Sequence, residues 1–232
     1  ILEIGSGPGN ITIFLKDMAK RVVGIEVDRD FKPIHVDIEK RYPHVSFIYN
    51  DIRKIDILSI IKEEKVEKVK IVGNIPYYLS SFIIRKLYDW SFCLSEAIIM
   101  MPRDVASRVV ASPNTKVYGI LSVASQVKFK PEIMFYVKSG SFFPRPKIDS
   151  AVVKFTPSNI YKIDDEKLFF RVLKITFGNR RKMLINTLKN IIPDAQVLKD
   201  LLNDLEIDPK SRPEILSVND FVKLYEKVRY FS

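Results

Sequence analysis

The chain of 232 residues is long enough for one α/β domain with a small appendage, and its 47% hydrophobic content excludes a disordered or fibrous protein. Lys and Arg outnumber Asp and Glu by 38 to 28, and the net charge of +10 favours an anionic partner such as nucleic acid or an acidic membrane surface, although a merely basic enzyme stays an alternative. The single cysteine, Cys93, cannot form an internal disulfide and no apolar run approaches the ~20 residues of a membrane span, so we expect a cytoplasmic protein.

Short β-branched apolar runs alternate with helix-like segments along the first half of the chain. This alternation predicts a parallel sheet covered by helices on both faces. The predicted strands are 1–4, 21–27, 45–49, 69–73 and 97–101, and the predicted crossover helices are 10–20, 29–41, 54–65, 79–90 and 102–110. Beyond Ser122, the segments 130–137 and 150–155 flank a Pro-rich loop and predict two further strands.

The composition changes after Pro157, where strand-forming runs give way to helical patterns. The apolar periodicity predicts helices at 168–177, 181–191, 197–205 and 221–228. We therefore expect two domains, an α/β domain at 1–157 and a small helical domain at 158–232.

A glycine-rich turn follows the first predicted strand, with Gly5, Gly7 and Gly9 where the strand should turn into a helix. Glycine at such a turn lets the backbone approach a ligand closely, although a plain tight bend is the alternative. Glu26 ends the second strand 21 residues after Gly5, close to the spacing of ~20 at which an acid accepts hydrogen bonds from ribose hydroxyls. The pair favours a nucleoside-containing ligand.

The sequence Glu3-x-Gly5-x-Gly7 resembles the first motif of the S-adenosylmethionine-dependent methyltransferases. The resemblance implies that the turn makes room for the amino-acid part of that cofactor. Asp51 ends the third strand and is placed either to accept a hydrogen bond from the cofactor's adenine amine or to cap a helix N-terminus. The cofactor-binding candidates are thus Glu3, Gly5, Gly7, Glu26, Asp51 and, from the next loop, Asn74.

Asn74, Ile75, Pro76 and Tyr77 follow the fourth strand and resemble the Asn-x-Pro-Tyr motif of adenine methyltransferases that act on amines. The lone pair of an adenine amine is delocalised into the ring, so acceptors that orient its N–H bonds help to concentrate electron density on nitrogen. The Asn74 side-chain oxygen and the Ile75 carbonyl are the predicted acceptors. Pro76 stiffens the loop, and Tyr77 would stack on a base that has left its nucleic-acid stack. An ordinary turn is the alternative.

The segment 140–155 resembles the loop and last strand of the KsgA/Dim1 family, the small-subunit rRNA adenine dimethyltransferases. In that family an aromatic of this loop stacks on the target base opposite the tyrosine. The matching residue is Phe142, with Phe143 as the neighbouring candidate, and core packing is the alternative for both. Segments 112–123, 177–188 and 207–221 also resemble the family, and the matches together cover residues 1 to about 228.

The resemblance implies a Rossmann-like sheet of seven strands, mostly parallel with the last antiparallel, followed by a helical domain. It implies S-adenosylmethionine-dependent N6,N6-dimethylation of two adjacent adenines in a 3′-terminal hairpin loop of small-subunit rRNA, within a pre-ribosomal particle. No metal and no membrane are expected to take part, and we expect a monomer. Three alternatives remain: an erythromycin-resistance type of large-subunit rRNA methyltransferase, a non-catalytic assembly factor, and a mitochondrial transcription factor of the same fold.

Basic residues near predicted helix starts are the RNA-binding candidates, because a helix N-terminus favours anions. A solvated helix face is the alternative. These residues are Arg180, Arg181 and Lys182, with Lys189 beyond them, and Arg103 and Arg108 beside the active-site side of the sheet. His35 and His44 are expected at the surface, away from the ligand loops, and Cys93 in the core.

The family carries a Phe-Gly-Gln-Asn-Phe-Leu-like segment upstream of its first strand, and nothing in this sequence corresponds to it. The resemblance implies that this segment closes over the cofactor. We therefore expect a molecule that starts at Ile1 to have an open or empty cofactor cleft and reduced cofactor affinity, and the sequence leaves its turnover open.

Overall fold

The computed structural model describes residues 1–231, and seven strands form its single sheet. The strands are β1 (Leu2–Ile4), β2 (Val22–Glu26), β3 (Val45–Tyr49), β4 (Val69–Asn74), β5 (Leu94–Pro102), β6 (Phe129–Val137) and β7 (Ser150–Pro157). Their order is β3-β2-β1-β4-β5-β7-β6, in which the pairs from β3 to β5 are parallel and β7 runs antiparallel to β5. This confirms the predicted fold class.

The central strands are mostly hydrophobic, as expected of a parallel sheet covered by helices on both faces. Every residue of β1 and β2 is buried, including Gly24, whose missing side chain leaves room for the ring of Phe47. The register pairs Ile4 with Ile25 on one side and with Gly73 on the other. The carboxyl ends of β1, β2 and β4 therefore meet at one edge of the sheet, where open α/β folds bind ligands.

Five helices follow the strands of the parallel part: α1 (Thr12–Leu15), α2 (Lys32–Arg41), α3 (Ile57–Glu63), α4 (Ser80–Trp90) and α5 (Arg103–Val109). The prediction of a helix over 10–20 was too long. The Met18 amide donates to the Leu15 carbonyl, only three residues back. The i→i−4 hydrogen-bond pattern of the α-helix therefore ends after about one turn. Ile13, Phe14 and Met18 are exposed, so little apolar burial supports a longer helix.

The remaining helices are α6 (Ile120–Gln126), α7 (Glu166–Gly178), α8 (Leu184–Leu188), α9 (Ala195–Asp204) and α10 (Val218–Val228). Contacts divide the chain into one unit of residues 1–106 and 131–157 and a second unit of residues 107–130 together with those from Ser158 onward. The predicted boundary after Pro157 coincides with a unit boundary. Segment 107–130, however, was assigned to the first domain, and the structure groups it with the helical unit.

The reason for this difference is the packing of the segment that contains α6. Tyr118 is fully buried with its ring centroid 6.0 Å from that of Phe177, and the Asn114 amide donates to the Glu214 carbonyl at 2.7 Å. Helix α6 itself has no apolar stripe. Its buried residues are the consecutive, mostly small residues 122–125. Its sequence therefore gives no 3.6-residue period to read.

Candidate functional site

The glycine turn and the loop after β4 lie against each other at the carboxyl edge of the sheet. Gly5, Gly7 and Gly9 all have positive φ, at 72°, 52° and 90°, a backbone region that favours glycine. A Cβ placed on Gly5 would lie 3.3 Å from the carbonyl oxygen of Asn74. The turn can approach the Asn74 loop this closely because Gly5 has no side chain.

The Glu26 carboxylate organises the turn from the end of β2. Its Oε2 accepts a hydrogen bond from the Gly7 amide at 2.7 Å, and its Oε1 accepts from the amides of Val27 and Asp28 at 2.8 and 2.9 Å. A carboxylate has about four acceptor positions. Glu26 therefore fixes two loops and keeps capacity to accept one more hydrogen bond from a ligand in the cleft.

These groups line a cleft of ≈ 310 Å³ in the first unit. That volume lies at the lower end of the ~300–1,000 Å³ typical of small-molecule sites. Of the predicted site residues, the cleft brings together Gly5, Gly7, Glu26, Asp51, Asn74 and Pro76. Tyr78, which the sequence analysis did not single out, also lines it and is 81% exposed. Its position directly after Tyr77 in the loop motif was the sequence signal that could have identified it as a cleft residue.

Glu3 does not line this cleft but lies buried beneath the turn, 1% exposed. The hydroxyl of Thr12 donates to its Oε2, while its Oε1 has no hydrogen-bond partner. Burial raises the pKa of Glu3 to about 7, against the effect of the Thr12 hydrogen bond, and the charge of Glu26 raises it further. Glu3 therefore sits as a neutral acid over part of the physiological range, and its link to the turn is through Thr12.

Asp51 has the capping geometry that was one of its two predicted interpretations. Its side chain accepts from the Arg53 amide at 2.9 Å and caps the 3-10 turn Ile52–Lys54. The Arg53 guanidinium also pairs with it, and hydrogen bonds to the side chain and backbone of Arg53 lower the pKa of Asp51 to about 2. Asp51 is thus ionised at neutral pH in the wall of the cleft.

The prediction that His35 lies at the surface, away from the ligand loops, was wrong. His35 is 0% exposed, and its ring is stacked on that of Phe47 with centroids 3.6 Å apart. Its Nε2 contacts the Gly7 carbonyl oxygen at 2.7 Å and its Nδ1 contacts the Tyr49 hydroxyl at 2.6 Å. Because His35 and Ile38 are the buried residues of α2, the spacing of three between them was a signal of the inward face.

His44 is half-buried rather than simply exposed, with Nε2 2.9 Å from the Lys16 carbonyl oxygen. Cys93 is buried as predicted, and its Sγ donates to the Trp90 carbonyl at 3.1 Å. Burial raises the pKa of its thiol, which opposes a role as nucleophile.

The loop after β4 exposes Asn74 and Pro76 and anchors Ile75 in the core. Asn74 and Pro76 are exposed, whereas Ile75 is 2% exposed and holds the loop to the core. The Tyr77 hydroxyl lies 2.6 Å from the Ser150 hydroxyl at the start of β7. Ser150 was missed by the sequence analysis, although it belongs to the strand that carried the family resemblance.

Phe142 and Phe143 lie in the loop between β6 and β7 and differ in exposure. Phe142 is half-buried, and Phe143 is 101% exposed. The carboxylate of Asp149 holds the base of this loop, since it accepts from the Ser139 amide at 2.9 Å and from Lys138 Nζ at 3.2 Å. The two ends of the loop are thus held together by Asp149, while both aromatic side chains retain contact with solvent.

The basic residues of the helical unit do not share one environment. Arg180 donates from Nε to Glu214 at 3.0 Å and from Nη2 to the Thr115 carbonyl at 3.1 Å, so it ties together segments of its own unit. Arg181, Lys182 and Lys189 are exposed. The helix predicted at 181–191 corresponds to α8, which has only five residues and begins at Leu184. Arg180–Lys182 therefore lie in the turn before this helix and not at its start.

Within residues 1–231, no helix has the length and apolar character needed to cross a membrane. Over the same range, no three His, Cys, Asp or Glu side chains come together in a way that could hold a metal ion.

Comparison with known proteins places this geometry among nucleic-acid-modifying enzymes. A family model described as ribosomal RNA adenine dimethylase matches residues 1–229. The Clostridium acetobutylicum protein named ribosomal RNA small subunit methyltransferase A is 36% identical over 230 residues, covering 98% of this chain and 83% of that protein. A Syntrophus aciditrophicus protein of the same name is 37% identical over 235 residues, covering 99% and 84%.

Two solved structures share the fold over nearly the whole chain. A dimethyladenosine transferase from Plasmodium falciparum superposes with a TM-score of 0.83 at 26% identity, covering 99% of this chain and 89% of the other. The 23S rRNA methyltransferase ErmE superposes with a TM-score of 0.72 at 20% identity, covering 98% and 90%. At that identity the second likeness shows the fold alone.

Proposed function

From the premise that this chain belongs to the ribosomal RNA adenine dimethylase family, we propose that it dimethylates two adjacent adenines in a 3′-terminal hairpin loop of small-subunit rRNA, with S-adenosylmethionine as methyl donor. The observation that carries the proposal is the contact between Gly5 and the Asn74 carbonyl. It sets a turn suited to a nucleoside cofactor directly beside a loop suited to an adenine amine.

The residues of the cleft fit S-adenosylmethionine. The space beside Gly7, where a side chain would meet no atom within 4 Å, leaves room at the turn, and Glu26 retains an acceptor position for a ribose hydroxyl. Asp51 lies in the cleft wall as an anion and would accept from the adenine amine of the cofactor. Glu3 would act on the cofactor through Thr12 and the turn, not by direct contact.

When bound, S-adenosylmethionine supplies an electrophilic methyl group on a positively charged sulfur. The Asn74 side-chain oxygen and the Ile75 carbonyl would accept hydrogen bonds from the two N–H groups of the target adenine amine. Held in this way, the nitrogen lone pair would point toward the methyl carbon. The methyl group would pass from that sulfur to the nitrogen held by Asn74 and Ile75, and the proton displaced from the nitrogen would go to water. No protein base is needed for this step.

The target base would be held between aromatic rings. Tyr77 has its hydroxyl fixed by Ser150, so its ring has one preferred orientation beside the Asn74 loop. Phe142, in the loop that ends at Asp149, would pack on the opposite face of the base. Stacking of this kind offsets ~1–3 kcal/mol of the cost of taking a base out of its stack.

RNA binding would draw on exposed cations of both units, among which Arg103, Arg181 and Lys182 are the candidates. Arg180 would contribute through the loop it holds, because its guanidinium already pairs with Glu214 and Thr115. The natural substrate is proposed to be a pre-ribosomal particle rather than free rRNA, which would place the protein in ribosome biogenesis in the cytoplasm.

The proposal is tested by mass analysis of small-subunit rRNA that lacks the modification. Free rRNA and small subunits are each incubated with the protein and S-adenosylmethionine, and the loop is excised and weighed. We expect a gain of four methyl groups over two adjacent adenines, greater on subunits than on free rRNA. Loop adenines that stay unmodified on both substrates while the protein binds the cofactor would overturn it.

A further inference from the structure

Arg103 and Tyr136 form an exposed cation–π pair at the end of β5. The Arg103 guanidinium carbon lies 4.8 Å from the centroid of the Tyr136 ring, within the range of a cation–π contact. Arg103 is exposed and Tyr136 is 50% exposed. The pair therefore presents both a delocalised cation and an aromatic ring to solvent.

Backbone and side-chain contacts join this pair to the tyrosine proposed to hold the target base. The Tyr77 hydroxyl lies 2.6 Å from Ser150, and Ser150 pairs with Pro102 across β5 and β7. Arg103 comes next in the chain, and its amide donates to the Asp149 carbonyl at 3.0 Å. Since consecutive Cα atoms are ~3.8 Å apart, the pair begins within about one residue of the strand ends that position Tyr77.

The loop over 138–149 adds positive charge to the same edge. It carries three cations, Lys138, Arg145 and Lys147, against one carboxylate, Asp149. Two of these cations help to shape the loop, because Lys138 pairs with Asp149 at 3.2 Å and Arg145 donates to the Ser139 hydroxyl at 3.2 Å. An anionic partner is favoured here.

Strand β6 leaves a run of large exposed side chains, two of them aromatic, at the edge of the sheet. Met134, Phe135 and Tyr136 are consecutive and 50%, 57% and 50% exposed, and β6 is the last strand in the sheet order. Exposed aromatic rings interleaved with cations are the surface that single-stranded nucleic acid uses, with bases stacking on the rings and phosphates meeting the cations. A peptide that adds a strand to the edge would bind through backbone hydrogen bonds, which do not need the exposed rings.

We infer that Arg103 and Tyr136, with the basic loop 138–149, form a platform on which the nucleotide next to the target adenine stacks. The inference rests on the proposed function and adds a subsite to it: Tyr77 would hold the base that is methylated, and the platform its unpaired neighbour. A neighbour held in this way would help to keep the loop single-stranded while the target base enters the cleft.

The test measures the affinity of the 232-residue protein for a hairpin RNA whose loop contains two adjacent adenines, by fluorescence anisotropy with S-adenosylhomocysteine present. A second set of RNAs replaces each base that flanks the target with an abasic nucleotide. The variants are Tyr136→Ala, Tyr136→Phe and Arg103→Ala. Phe92→Ala is the matched control, because Phe92 is 61% exposed and precedes β5 at the opposite end from Arg103.

We expect Tyr136→Ala and Arg103→Ala to weaken RNA binding about 5- to 150-fold, as the loss of one base–aromatic stack does, and Tyr136→Phe to bind within about twofold of the parent protein. The parent protein should bind the abasic RNA about as weakly as Tyr136→Ala binds the unmodified RNA. Tyr136→Ala should lose little further affinity when the abasic RNA replaces the unmodified one. The KM for RNA should rise while the dissociation constant of S-adenosylmethionine stays the same.

Two results separate this inference from the proposed function. In the first result, the parent protein methylates the RNA but Tyr136→Ala binds RNA as tightly as Phe92→Ala, or each abasic change lowers the RNA affinity of the parent protein and of Tyr136→Ala equally. The platform then does not exist, and the enzyme assignment stands. If the parent protein neither binds nor methylates hairpins or subunits, the proposed function fails first. Thermal unfolding of Tyr136→Phe and Tyr136→Ala shows whether any loss reflects folding.

Discussion

The imidazole Nε2 of His35 lies 2.7 Å from the carbonyl oxygen of Gly7, so a side chain of α2 holds a peptide of the cofactor turn. A carbonyl oxygen can only accept, so Nε2 carries the proton and donates. With one proton on the ring, Nδ1 accepts from the Tyr49 hydroxyl at 2.6 Å. Because Glu26 accepts from the Gly7 amide, both sides of the Gly7 residue are fixed by side chains.

This relationship predicts that His35→Leu weakens cofactor binding. Leucine fills a similar volume but leaves the buried Gly7 carbonyl without its donor, and an unsatisfied group of this kind costs ~1–3 kcal/mol. We expect the dissociation constant of S-adenosylmethionine to rise about 5- to 150-fold in calorimetric titration, because a turn with positive φ at Gly7 is no longer held in place.

The control for His35→Leu is Phe47→Leu, which disturbs the same stack without removing a hydrogen bond from the turn. Both variants should lower the free energy of unfolding, but only His35→Leu should lose cofactor affinity to this degree. Equal losses of affinity at equal losses of stability would mean that His35 acts by packing alone.

The sequence was informative wherever burial follows a regular period. The strands are short runs of β-branched, aliphatic and aromatic residues, so all seven were predicted within a few residues, including the largely exposed β6, as β2 at Val22–Glu26 against a predicted 21–27 illustrates. Helix α6 was missed because its buried residues are consecutive and have no period. The ends of β1, β2 and β4 were expected to converge because parallel strands end at one edge, and they do so in the cleft.

Contacts between distant polar side chains could not be predicted in the same way. His35 and Gly7 are 28 residues apart, and Tyr77 and Ser150 are 73 apart. Such pairs depend on how far a helix or strand is rotated about its axis, which a periodic pattern defines only coarsely. The ion pair of Asp51 with Arg53 is local, yet the sequence left cap and ligand roles equally open, because the same carboxylate geometry serves both.

Glu3 should make the stability of the protein fall as the pH rises. A carboxyl whose pKa is near 7 in the native state and ~4.3 when unfolded binds more protons in the native state, so its contribution is complete below ~4.3 and is lost as the pH rises through 7. We expect Glu3→Gln, which keeps an oxygen for the Thr12 hydroxyl, to gain ~2–3 kcal/mol relative to the parent between pH 5 and 8.

Urea unfolding at pH 5, 6, 7 and 8 measures this difference directly. Glu63→Gln is the matched control, because Glu63 is exposed at the end of α3 and should leave the pH dependence unchanged. A constant difference between Glu3→Gln and the parent protein across the four pH values would show that Glu3 is ionised throughout.

The hydrogen bond between Tyr77 and Ser150 should act on the RNA substrate and not on the cofactor. Ser150→Ala and Tyr77→Phe each remove it, and each should lower kcat/KM for RNA about 3- to 10-fold, the worth of one such bond. Because both variants remove the same interaction, the double variant should lose little more than either single variant. Additive losses in steady-state methylation assays would show that the two hydroxyls act separately.

Asn74→Ala gives the sharpest separation between an enzyme and a binding module of the same fold. The side chain is exposed at the cleft and Ile75 anchors the loop, so the substitution should not disturb folding. Loss of a preorganised polar group at a reacting centre typically costs ~10²- to 10³-fold in kcat. We expect a loss of that size in methyl transfer with RNA affinity within about twofold of the parent protein. Asn203→Ala, an exposed site on α9, controls for surface change. Retained methylation by Asn74→Ala would place the chemistry elsewhere, because no other side chain of the Asn74–Tyr77 loop offers the amine an amide oxygen.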